Sequence, residues 1–77
     1  MSPIYEEIID FIAAGTTPRS LVDFQPSDTT KSRVADLIQR EKTEGLSAEE
    51  TEELDHYLQL EHLMRLAKAR ARQHLHS

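Results

Sequence analysis

Glu53 and His56, in the run Glu53-Leu54-Asp55-His56, stand three residues apart. This is the Glu-x-x-His spacing by which di-iron helical bundles set two ligands on one helix face. Such a centre needs two of these motifs and further carboxylates, and the 77 residues supply one. A symmetric dimer doubles it, with Glu6 or Glu7 contributing. The four histidines, His56, His62, His74 and His76, lack the spacing of zinc ligands. Solvated histidines and no cofactor are therefore the expectation, with Glu53 and His56 kept as the candidate metal pair.

The run SAEETEELD (47–55) carries the carboxylates that general acid–base chemistry needs. Carboxylates act as proton donors near neutral pH when burial raises their pKa, whereas this run has the pattern of an exposed helix start. There is no glycine-rich phosphate loop and no cysteine nucleophile. Ser20, Ser27, Ser32 and Ser47 lack a hydrolase signature, and Ser27 and Ser47 sit where helix caps are needed. No catalytic residue is assigned, and the chain is read as a non-enzyme.

A third group closes the chain. Residues 62–77 hold Arg65, Lys68, Arg70 and Arg72 and no acid, whereas residues 1–61 hold 5 Lys/Arg against 14 Asp/Glu. Arg65, Lys68 and Arg72 share one helical face, and Arg70 lies on another. A stripe of this kind neutralises phosphates in nucleic-acid binders, but no aromatic residue interleaves it and the chain as a whole carries −5. Basic side chains at a helix C-terminus also suit the macrodipole, as Glu49–Glu53 suit its N-terminus. Glu61 and Arg65 make a favourable i, i+4 pair. Arg65, Lys68 and Arg72 remain the candidate contact to an anionic partner.

These groups need helices to position them. Ser2-Pro3, Thr17-Pro18 and Pro26-Ser27 are start signals, Gly15 and Gly45 are stops, and Ser47 with Glu50 forms a capping box. The expected helices are 3–14, 18–23, 28–43 and 48–74. Ile4, Ile8, Ile9, Phe11 and Ile12 form a broad apolar face on the first. Leu21, Val22 and Phe24 make the short second segment a lid. Val34, Leu37 and Ile38 face inward from the third.

The last helix runs without Gly or Pro, and its 27 residues reach roughly 40 Å at the usual rise. A compact chain of this length has a diameter near 30 Å, so part of this helix needs cover from elsewhere. Tyr57, Leu60, Met64, Ala67, Ala71 and His74 form a heptad-like seam, with Leu54 and Leu58 on one flank and Leu63 and Leu66 on the other. One seam can pack on the first and third helices, leaving the other leucines to face a second chain. Tyr57, Leu58, Leu60, Leu63, Met64, Leu66, Ala67 and Ala71 are accordingly the candidate partner-binding residues.

Leu, Ile, Val and Phe together number 18, enough for folding but little for a large core. The absence of cysteine excludes disulfides and thiolate metal sites. No apolar run approaches the ~18 residues that span a membrane, and RLAKARARQHL is too poor in large apolar residues for a membrane-surface helix. The acidic start MSPIYEE is unlike a signal peptide, so a cytoplasmic protein is expected.

Residues 23–72 resemble a class of small bacterial, cyanobacterial-type helical proteins. Phe24, Ser27, Leu37, Arg40, Gly45, Leu46, Ser47, Glu49, Glu50, Glu53, Leu54, Asp55, Ala69 and Arg70 carry the likeness. The resemblance implies an antitoxin-like partner of a nuclease toxin encoded nearby. The resulting expectation is an all-α chain of three to four helices, its long C-terminal helix forming a helical hairpin in a homodimer. Its expected role is protein–protein interaction through that helix. The alternatives are a homodimeric structural or adaptor protein, and a nucleic-acid binder using the basic face.

Overall fold

The computed structural model describes residues 3–76 and contains four α-helices: α1 (Glu6–Ala13), α2 (Pro18–Asp23), α3 (Asp28–Thr43) and α4 (Ala48–His76). There are no strands among the described residues, and the fold is all-α with a long C-terminal helix. Three of the four starts follow from local side-chain chemistry. Thr17 Oγ1 accepts from the Ser20 amide at 3.1 Å while Ser20 Oγ accepts from the Thr17 amide at 2.8 Å, with Pro18 at the first helical position. Ser27 Oγ accepts from the Thr30 amide at 3.2 Å. Ser47 and Glu50 form the expected reciprocal box, both bonds 3.1 Å. The α3–α4 turn needs a left-handed residue, and Gly45 supplies it at φ +87° while its amide donates to the Arg40 carbonyl at 2.8 Å.

α1 departs from its expected start. It begins at Glu6, not residue 3, and its N-cap Tyr5 makes no side-chain cap bond. Ser2, the expected cap, lies outside the described residues. The Ile4 amide donates instead to Glu53 Oε2 at 3.2 Å. A carboxylate distant in sequence thus satisfies a donor assigned to a local cap, and Pro3–Tyr5 becomes a turn leading into the helix. At the other end α4 continues to His76, two residues beyond expectation.

α3 folds back along the first half of α4, bringing Arg40 beside Glu50 and Arg33 beside Glu53. α1 lies alongside α4 in the same sense, Ile4 meeting Glu53 and Tyr5 meeting His56. The core joins Ile4 and Ile8 of α1's arm, Leu37 of α3, and Leu54, Tyr57 and Met64 of α4. Phe11, Leu21, Phe24, Val34 and Leu60 close around it, with the Phe11 and Phe24 rings 4.4 Å apart. α2 returns along the second half of α4, with Leu21 beside Ala67 and Ala71. The chain is elongated, 47 × 22 × 19 Å, with a radius of gyration of 14.1 Å. A compact chain of this length has a radius of about 11–12 Å, and the 29-residue α4 sets the excess.

Candidate functional site

The seam of α4 is covered by this chain itself. Tyr57, Met64 and Ala71 are buried, and Leu60 and Ala67 are partly so. α2, rather than α3, runs closest along α4. The reason is size: Ala67 and Ala71 let a neighbouring backbone come near, whereas Leu37 and Leu54 hold α3 further off. Of the residues expected to meet a partner, Tyr57, Met64 and Ala71 are thus buried against this chain's own helices, while Leu60 and Ala67 keep part of their surface. Burial pushes the Tyr57 phenol above its ordinary range, with Glu61 and Glu7 adding to the effect.

What α4 leaves exposed is its flank. Leu63 is 53% exposed and Leu66 57%, beside Ile9 at 44% and Ile12 at 45%. Tyr5, Ile9, His56, Gln59, Leu60 and Leu63 line one shallow groove between α1 and α4. Ile12 follows one turn after Ile9, so the apolar surface continues along α1. Leu58 is also exposed, but at 100° per residue it lies about 140° around α4 from Leu63. The eight candidate contact residues thus divide into an inner seam, the flank Leu63–Leu66, and Leu58 on the far side.

The hairpin is tied by charge. Arg40 Nη2 reaches both Glu50 oxygens, at 2.7 and 2.6 Å, and Arg33 Nη2 reaches Glu53 Oε1 at 3.2 Å. The Arg40 hydrogen bonds, then the Ser47 amide, hold the Glu50 carboxyl below its ordinary range; the Arg40 guanidinium is pushed up by Glu50 first and Asp36 second. Glu50 therefore caps α4 and anchors α3 with one carboxylate. Because its folded pKa is lowered, the unfolded chain binds the proton more tightly. This contribution to stability is complete above the unfolded value near 4.5 and is lost as pH falls through the lower folded value. Glu50→Gln keeps a side chain suited to the capping box but removes the charge. In urea titrations between pH 6 and 3, the variant is expected to lose less stability with acid than the native chain; parallel curves would contradict the assignment.

The basic candidates are spent unequally. Arg65 pairs with Glu61 at 2.6 Å. Lys68 Nζ donates to the Phe24 carbonyl at 2.5 Å and sits 5.9 Å from the Phe24 ring centroid, tying the end of α2 to α4. Arg72 is exposed and forms no salt bridge with a described residue. The three share a face, as expected, yet only Arg72 has its charge directed wholly outward. Of the metal candidates, Glu53 is occupied by the Ile4 amide and Arg33, and the His56 ring stacks edge-on against Tyr5 at 5.2 Å. No group of three or more His, Asp or Glu able to hold a metal is gathered among the described residues.

Sequence reasoning placed all the α1 isoleucines on one inward face and so missed Ile9 and Ile12 as surface residues. Five large apolar residues within nine positions exceed what one helix face can bury, and that excess was the available signal. The Arg33/Arg40 match to Glu53/Glu50 was also missed, although the two arginines are seven residues apart and the two acids three apart. Both spacings return to one helix face. No helix among the described residues is long and apolar enough to cross a membrane. Comparison with protein-family models, curated proteins and solved structures finds no match to this chain.

Proposed function

We propose that the chain is a non-enzymatic, antitoxin-like protein-interaction module that engages another polypeptide through the exposed flank of α4. The observation that carries this reading is the exposure of Leu63 and Leu66 by more than half, beside Ile9 and Ile12. Single exposed apolar residues need no explanation, but several aligned on adjoining helices mark an interaction surface. The rigid, extended α4 presents such a surface as helix-in-groove recognition does. In the narrower form implied by residues 23–72, the module, once its flank is engaged, acts in the cytoplasm on a nuclease encoded nearby.

Photo-crosslinking residues at positions 63 and 66 test this directly in cells that naturally make the protein. Adducts with a defined polypeptide are expected from both positions and not from position 41, where exposed Glu41 lies on α3. An adduct's mass identifies what is bound. No adduct at 63 or 66, or equal labelling from position 41, overturns the reading.

A further inference from the structure

The exposed flank of α4 carries a charge pattern as well as leucines. Glu52 and Arg70 are both exposed and 18 residues apart. Eighteen residues are five full helical turns, so the two side chains share one angular position about 27 Å apart. Leu63 and Leu66 lie between them on the same side. Glu50, Glu53 and Glu61 form ion pairs with Arg33, Arg40 or Arg65. Glu52 and Arg70 form none with a described residue. Arg70 is also set apart from Arg65, Lys68 and Arg72, which follow the opposite flank. A helix-dipole account of the basic end does not require a lone arginine beside the leucines.

We propose that the occupant of this flank is a second copy of the chain, its α4 antiparallel to the first across a two-fold axis. Glu52 of each copy then meets Arg70 of the other. This rests on reading the flank as an interaction face and names what fills it. A two-fold interface must be self-complementary, each residue meeting the counterpart that in turn meets it. An acid and a base at equal distances from one midpoint satisfy that condition twice. The midpoint falls at the level of residue 61, so Leu63 opposes Gln59 of the other copy and Leu66 opposes His56. The leucines close on either side of the axis, with Ile9 walling the groove that receives them. Parallel docking would oppose Glu52 to Glu52 and Arg70 to Arg70, so charge selects the antiparallel arrangement. The selection matters because each chain carries −5, and two such chains repel unless local contacts are matched.

Sedimentation equilibrium of the full chain at low salt, from about 1 to 200 µM, tests the proposal with Glu52→Arg, Arg70→Glu and the double exchange. Both sites are exposed to solvent, and circular dichroism checks that helicity is kept. A monomer–dimer equilibrium is expected in the native chain. Each single reversal sets like charges together twice and should raise the dissociation constant about tenfold. The double exchange restores opposite charges and should return it to within about threefold of the native value. The single reversals move net charge in opposite directions, so a loss common to both is not a net-charge effect. A native chain that stays monomeric throughout, or a double exchange no better than the singles, overturns the proposal. A monomer whose position 63 crosslinks to a different protein removes the second copy but keeps the interaction face; no crosslink at all removes both.

Discussion

Replacing Leu37 with alanine is expected to cost about 2–5 kcal/mol of folding stability, the range for truncating a buried leucine. Leu37 has 0% of its surface exposed and is the residue through which α3 enters the core shared with α1 and α4. Truncation removes the transfer free energy of the lost carbons and leaves a void that α3 cannot easily close. Arg33 and Arg40, on the same helix, are tied to Glu53 and Glu50. A chain of this size has a total stability of about 4–12 kcal/mol, so the variant is left marginal. In urea the midpoint should fall sharply while the slope stays the same, because the surface exposed on unfolding hardly changes. The melting temperature should drop by about 8 °C or more, at about 4–8 °C per kcal/mol. Leu58→Ala is the matched control, since Leu63 lies on the proposed interface: the same chemical change at this exposed site on the far side of α4 should stay within about 0.5 kcal/mol. Similar losses for the two variants would mean that the core is not where this packing puts it.

The contrast between Leu37 and Leu63 also marks what was legible before the fold was known. Helix limits set by residues close in sequence were readable: Thr17 with Ser20, Ser27 with Thr30, Ser47 with Glu50, and Gly45. Each involves atoms within a few residues, so local chemistry decides it. The start of α1 was not readable, because the Ile4 amide is satisfied by Glu53, a partner 49 residues away. The seam on α4 was readable as a pattern but not in its use. Periodicity says that Ala67 and Ala71 meet a helix, and cannot say whether that helix is α2 of the same chain or belongs to another. The six-residue segment was expected to act as a lid on the core, and small side chains on α4 need only such a short neighbour. The surface at Ile9, Ile12, Leu63 and Leu66 then follows by subtraction. Once α2 covers the alanines and α3 covers Leu54, these residues have no remaining cover among the described elements.

Ala71→Leu tests that assignment of cover, because it should damage one helix of the protein and spare the rest. Ala71 is 3% exposed and, with Thr16, Thr17, Pro18 and Leu21, lines the shallow groove where α2 meets α4. Added methylenes in a packed contact cost about 1–3 kcal/mol when the surroundings cannot yield. Here one side can yield. α2 has six residues, far too few to be stable alone, and is held by Leu21, Phe24 and the Lys68 bond to the Phe24 carbonyl. The strain is therefore expected to be relieved by α2 lifting from α4, a local opening rather than global unfolding. Hydrogen exchange reads this at the amides of Leu21 and Phe24, which donate to the Thr17 and Leu21 carbonyls. Both should exchange about tenfold faster or more, while amides from Leu54 to Leu60 keep their native rates. Equal acceleration throughout would place Ala71 in the global core and make α2 part of one cooperative unit. Selective acceleration would mean that α2 is a separable cover, and that the charged and apolar flank of α4 is presented by a scaffold that α1 and α3 hold without it.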